Sequence, residues 1–203
     1  MKMKNIYYLL FIFQLVSCTS DKNEKHFLDF KLGMKKNEFT KVKYTLKKNK
    51  VINWESYDNE DAYKHIMNFE GQKIKTSLNF KFENDELSKI EINIGNWRKP
   101  NNWREKQYFM YFYSSDKSEV NKLYDLYKSK YGEPTKSEDY HNPNQIKVWE
   151  FENFLIKFNI GEQKGNSSLV ENAKIEYCLS EKYLKKRKNE LKEKSRTENL
   201  KKI

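Results

Sequence analysis

Lys73-Ile74-Lys75-Thr76-Ser77-Leu78-Asn79-Phe80-Lys81-Phe82-Glu83-Asn84-Asp85-Glu86-Leu87-Ser88-Lys89-Ile90-Glu91-Ile92-Asn93-Ile94 is the stretch on which the fold class turns. Ile74, Leu78, Phe80 and Phe82 alternate with Lys73, Lys75, Asn79 and Lys81. After Asn84-Asp85 the alternation resumes, with Ile90, Ile92 and Ile94 set against Lys89, Glu91 and Asn93. Successive side chains of a strand point to opposite faces, so a period of two predicts an antiparallel hairpin with one buried and one wet face.

On the N-terminal side, Val51–Trp54 and Tyr63–Phe69 read as strands separated by an acidic loop, Asp58-Asn59-Glu60-Asp61. Before them a helix is expected over Lys35–Lys48, because Phe39, Val42 and Leu46 fall on one helical face. Phe27–Leu32 is a short strand candidate ahead of Gly33-Met34. On the C-terminal side, Gly95–Lys106 is a polar connection and Tyr108–Tyr113 suits a central strand. Asp116 and Glu119 stand at capping-box spacing before a helix with the stripe Val120, Leu123, Tyr124, Tyr127 and Tyr131, and Gly132 and Pro134 end it. A second hairpin spans Ile146–Phe151 and Phe154–Ile160 around Glu152-Asn153, and Leu169–Leu179 is expected to close the sheet. The fold class is therefore α+β: antiparallel meanders, two packed helices and a polar C-terminal helix. The order suggests one domain over 27–180, with two diverged copies of a helix-plus-sheet unit over 27–95 and 107–180.

The N-terminus carries the clearest compartment signal. Lys2 and Lys4 precede an apolar run, Ile6–Val16, broken only by Gln14. Eleven helical residues reach about 16 Å, half of a ~30 Å hydrocarbon core, so the run reads as an export signal rather than a span. It ends in Leu15-Val16-Ser17-Cys18, which resembles the lipobox of bacterial lipoprotein precursors. The resemblance implies removal of residues 1–17, a lipid-bearing (palmitate-type) Cys18 and a polar tether over 18–26. The implied location is the cell envelope, lipid-anchored, with the outer membrane or periplasmic side favoured. An ordinary cleaved signal, cut after Ser20, is the competing reading. With Cys18 acylated, Cys178 has no disulfide partner and reads as a buried structural thiol.

The layout is also similar to two groups of small exported bacterial proteins. Gly33-Met34 before a helix and Gly132-Glu133-Pro134 before strands resemble features of the small lipoproteins of outer-membrane β-barrel assembly. The tandem helix-plus-sheet order resembles the β-lactamase inhibitory proteins. Neither resemblance transfers a functional residue.

Composition narrows the classes further. The 203 residues are 37% hydrophobic and 15% aromatic, which excludes a polytopic membrane protein and a disordered chain. The net charge of +11 comes from 36 Lys and only 4 Arg, whereas phosphate recognition favours the arginine fork, so a nucleic-acid partner is not expected. Residues 181–203 hold ten basic and four acidic side chains, +6 of that charge, in a solvated, fraying helix. There Lys185, Lys186, Arg187 and Lys188 are candidates for contact with a membrane surface.

Asn96-Trp97-Arg98 and Asn102-Trp103-Arg104 repeat six residues apart and gather two of the four Trp and two of the four Arg. A polar loop with Trp and Arg has a hot-spot composition, so Trp97, Arg98, Trp103 and Arg104 are the ligand- or partner-binding candidates; the alternative is that both indoles fold onto the sheet. Catalytic patterns are thin. His26, His65 and His141 show no H-x-x-x-H spacing, and Asp58, Glu60 and Asp61 lack an EF-hand pattern. Ser114-Ser115-Asp116-Lys117 fits S-x-x-K but is explained by a helix start. The expectation is a non-catalytic binding or assembly module with an envelope protein partner, without metal or cofactor. An inhibitor or immunity protein against a secreted toxin or enzyme is the alternative.

Overall fold

A computed structural model describes residues 26–57, 60–69, 72–98, 112–138, 146–163 and 166–200. The quoted hairpin forms as β3 (Gln72–Glu83) and β4 (Glu86–Ile94), with Asn84 and Asp85 at positive φ in the turn. Ahead of them lie α1 (Lys36–Lys48), β1 (Ile52–Tyr57) and β2 (Glu60–Phe69). Behind them come β5 (Asn96–Arg98), β6 (Phe112–Asp116), α2 (Lys117–Tyr131), β7 (Lys136–Glu138), β8 (Ile146–Glu150) and β9 (Phe154–Asn159). The chain ends in β10 (Glu162–Gln163), β11 (Leu169–Glu171), β12 (Lys174–Leu179) and α3 (Glu181–Leu200).

The main sheet has eight strands in the order β1-β2-β3-β4-β12-β9-β8-β7, every pair antiparallel. This order is a palindrome: a helix and four strands from the first half meet a helix and four strands from the second, across the β4–β12 join. Apolar rows run straight through that join. Phe80, Ile90, Tyr177, Ile156 and Trp149 are successive partners across five strands. Both helices lie on this apolar face. Phe39 of α1 meets Phe80 and Phe82 with ring centroids 4.9 and 5.0 Å apart, while Tyr127 of α2 packs on Phe158 and Trp149. The Tyr127 and Tyr177 hydroxyls, both buried, satisfy each other at 2.7 Å. Alternation thus places the apolar set under the helices and most of the polar set on the opposite face, where Ser77 and Asn93 are nevertheless buried.

Helix boundaries follow local chemistry. Asp116 accepts the Ser118 N–H at 2.8 Å, and Glu119 accepts the Ser115 hydroxyl at 3.1 Å, so the capping pair acts on neighbours rather than reciprocally. Gly132, with φ of 82°, ends α2, and its carbonyl accepts the Trp149 indole N–H.

Four segments depart from the expectations, the first being Asn96–Arg98, which forms β5 inside the expected Gly95–Lys106 connection. Phe27–Leu32 is not a strand but a turn with a single Phe27–Phe30 bridge: Leu28 is left-handed, which tucks fully buried Phe30 beneath α1. Leu169–Leu179 does not close the sheet. Left-handed Asn172 splits it, sending Leu169–Glu171 into a second sheet and Lys174–Leu179 into the middle of the first. Glu60 and Asp61 are not loop residues either, since they pair with Tyr57 and Ser56 in the β1–β2 ladder.

The second sheet, β10-β11-β6-β5, begins where β4 ends. Gly95 makes the corner at φ of 108°, and a Cβ there would sit 2.1 Å from the Ser114 carbonyl oxygen. Only glycine fits so close an approach. Of Tyr108–Tyr113, Phe112 and Tyr113 belong to β6, an inner strand of this small sheet; the rest lies outside the described residues.

Candidate functional site

The open face of the main sheet has two regions of different chemistry. Across β4 and β12 it is self-neutralised. Lys89 Nζ donates to Glu176 at 2.6 Å and lies 3.0 Å from Glu91, while Lys174 lies 2.9 Å from Glu176. Burial works to raise the Glu176 carboxyl, but the hydrogen bonds from Lys89 and Lys174 outweigh it and hold the pKa down to about 2. Cys178, next along β12, is half-buried, and burial pushes its thiol up to about 11. It is therefore a thiol, not a thiolate, at neutral pH, in keeping with a structural role.

Across β1, β2 and β3 the same face hollows into an open groove of about 570 Å³. The antiparallel register assembles its floor. Asn53 pairs with Lys64 and Lys64 with Ser77; Ile66 pairs with Lys75, and Asn68 with Lys73. Lys50 stands at one lip and Asn96 at the other, the latter placed by the Gly95 N–H donating to the Lys75 carbonyl at 2.8 Å. Four lysines (Lys50, Lys64, Lys73 and Lys75) line it, and among the described residues no carboxylate does. Ile66 is 49% exposed and sits between lysine-bearing positions, an apolar spot in a cationic frame. Ser77 and Asn93, paired across β3 and β4 on the same face, are buried polar groups. The arrangement can hold an acidic ligand: long lysine stems reach it, and asparagine and serine supply hydrogen bonds.

The sequence-derived candidates scatter around this groove. Trp97 and Arg98 form β5 with Asn96, pairing with Tyr113 and Phe112 of β6, so the repeat's first copy begins at the groove's lip. Trp103 and Arg104 lie outside the described residues, as do Cys18, His141 and Asp58. In α3, Lys185 sits 3.8 Å from Glu181, and Lys186 and Lys188 are exposed. Arg187 instead turns onto the body. Its guanidinium donates to Glu86 at 2.6 and 3.2 Å, and Lys35 Nζ lies 3.0 Å from the same carboxylate. Burial tends to raise the Glu86 carboxyl; the bonds from Arg187 and Lys35 prevail and leave it below its usual value.

The described histidines are held by structure. His65 Nδ1 lies 2.8 Å from the Val51 carbonyl, with its ring edge against Phe27. His26 is part of the body, not of a tether: its Nδ1 accepts the Leu32 N–H, and its ring stands edge-on to Phe154 at 4.4 Å. Burial first, and the charge of Lys31 second, bring its pKa down to about 4. The S-x-x-K residues are engaged as a helix start, with Lys117 Nζ donating to Gln163 at 2.7 Å. Among the described residues no three acidic, His or Cys side chains form a metal-ligating group, and no helix is long and apolar enough to cross a membrane.

Sequence reading missed the groove because Lys64, Lys73 and Lys75 read individually as the wet face of ordinary strands. The available signal was that Lys64-x-Ile66 and Lys73-x-Lys75 share a parity; only the β2–β3 register sets them side by side.

The chain matches no protein-family model, no curated protein and no solved structure. The fold and groove therefore stand on their own geometry.

Proposed function

We propose that the chain is a cell-envelope lipoprotein, anchored to a membrane through acyl chains on Cys18, whose body is a non-catalytic module that binds an acidic partner in the β1–β3 groove. The observation that carries the reading is the joining of four lysines around exposed Ile66 on one groove. A cationic frame around an apolar spot suits an acidic surface with an apolar side chain at its centre. A protein-sized partner also keeps the inhibitor or immunity reading in view, because exposed Ile66 and the Asn96 lip present an open surface rather than an enclosed pocket.

Two measurements test the two parts. Labelled palmitate should enter the wild-type chain and not the Cys18→Ala variant; labelling that persists in that variant removes the anchor. A photo-crosslinker at residue 66, used in intact cells, should capture an envelope protein and lose it when Lys73 and Lys75 are both changed to Glu. An adduct indifferent to that charge reversal would move the binding site elsewhere. If the captured protein is a secreted toxin or enzyme, the inhibitor reading holds; a barrel-assembly component supports the assembly reading.

A further inference from the structure

Among the described residues, α3 is held on one side. The Tyr183 hydroxyl lies close to Gly33, and Arg187 grips Glu86 bidentately, so these two residues set the rotation of the helix. At 100° per residue, Lys182, Lys185, Lys192 and Arg196 fall within roughly 40° of the direction opposite Arg187. Lys188, about 80° from that direction, lies outside this stripe, and Leu184 and Leu191 turn toward the Arg187 side. All five cations are exposed, and Lys185, with Glu181, is the one ion-paired among them within the described residues. Glu181 and Glu193 flank the stripe, whereas Glu190 bends back to Arg187 at 3.1 Å. From Lys188 to Glu198 every residue is exposed, so the helix has left the body.

The base of this arm lies close to His26, the first of the described residues. Just before α3, the Ser180 N–H and hydroxyl donate to the Asn153 and Glu152 carbonyls of the β8–β9 turn. His26 packs on Phe154, the first residue of β9 after that turn. His26 lies eight positions after Cys18, a reach of at most about 28 Å when extended, against about 30 Å for the length of α3.

We propose that α3 is a membrane-surface element: Arg187 docks it, and Lys182, Lys185, Lys192 and Arg196 meet anionic lipid headgroups. The stripe extends over some 21 Å of helix without a concavity, which suits a planar array of phosphodiesters rather than one compact anion. Arg187, expected from the sequence to face the membrane, is the residue that points the others outward. The proposal rests on the anchored reading of Cys18, which brings the β8–β9 corner near a bilayer.

The test is hydrogen exchange of the full chain on vesicles of phosphatidylcholine, with and without 30% phosphatidylglycerol, alongside flotation. Exchange over 188–198 should slow at least about fivefold on the anionic vesicles, return with 0.5 M salt, and be insensitive to lipid in the triple variant Lys185→Glu, Lys192→Glu, Arg196→Glu. Amides of β4 serve as the internal reference and should not change. Flotation on both vesicle types with equal α3 exchange overturns this proposal and leaves the anchor standing. Failure to float on phosphatidylcholine overturns the anchor instead. Salt-sensitive flotation on anionic vesicles then still supports α3, and its absence overturns it.

Discussion

Arg187 is one of four arginines in a lysine-rich chain, and the structure spends it on a carboxylate that water barely reaches. The Glu86 side chain is 8% exposed. Removing a partner from such a carboxylate leaves a poorly solvated charge, which costs more than a surface pair returns. With Lys35 still in contact and the guanidinium partly exposed, Arg187→Ala should cost about 2 kcal/mol of stability, read from urea unfolding. Lysine should rescue it only in part, because a point charge cannot repeat the bidentate geometry. His26 supplies a second residue-scale test. Its folded pKa of about 4 lies below the ordinary 6.5, so the unfolded chain binds more protons between those values. Stability from this group is complete above pH 6.5 and is lost as pH falls toward 4. By pH 5 the loss should be on the order of 2 kcal/mol, a drop in Tm of about 4–8 °C from pH 7. His26→Gln should flatten that slope; an unchanged slope would show that the ring is solvated.

Among the elements, α3 divides into a docked base and a solvated arm. Its composition reads as uniformly polar, and a deletion of 181–203 would on that reading leave the melt unchanged. The contacts of Tyr183 and Arg187 predict otherwise. Truncation after Asn189 should change Tm by less than about 2 °C, since every later residue up to Glu198 is exposed. Truncation after Ser180 should cost at least about 2 kcal/mol, by losing the Arg187–Glu86 pair and the Tyr183 packing together. Equal melts for the two truncations would place the docking outside these residues. The hairpins, by contrast, were legible from alternation alone, because the one period that exposes every Lys of β3 buries every Ile of β4. The Phe27–Leu32 turn was not legible. Six residues with apolar Phe27, Leu28, Phe30 and Leu32 satisfy strand and turn equally until left-handed Leu28 decides.

At the scale of the molecule, the two sheets are joined at Gly95, and the groove depends on that corner. Any side chain there meets the Ser114 carbonyl at 2.1 Å in a backbone conformation that L residues rarely adopt. Gly95→Ala should therefore destabilise by about 3 kcal/mol or more, measured by the urea midpoint, and should disturb Asn96 at the groove lip. A near-neutral result would show that the corner relaxes freely. The paired Lys73→Glu and Lys75→Glu change belongs at the same scale. Both side chains are exposed, so Tm should move by less than about 2 °C while the partner is lost.

The chain's local chemistry determined a good deal by itself. Alternating side chains specified the two hairpins, an apolar stripe between Asp116 and Gly132 specified α2, and a basic, apolar, Cys-terminated N-terminus set the expectation of an anchored envelope protein. Each of these depends on neighbours within a turn or two, which a sequence displays. What only the tertiary structure decided is everything carried by partners far apart in the chain. Such are the insertion of β12 between β4 and β9, the docking of Arg187 on Glu86 a hundred and one residues away, and the lysine groove assembled by strand register. A strand's parity shows which residues share a face, but not which other strand's face lies beside it, and the groove exists only once that pairing is made.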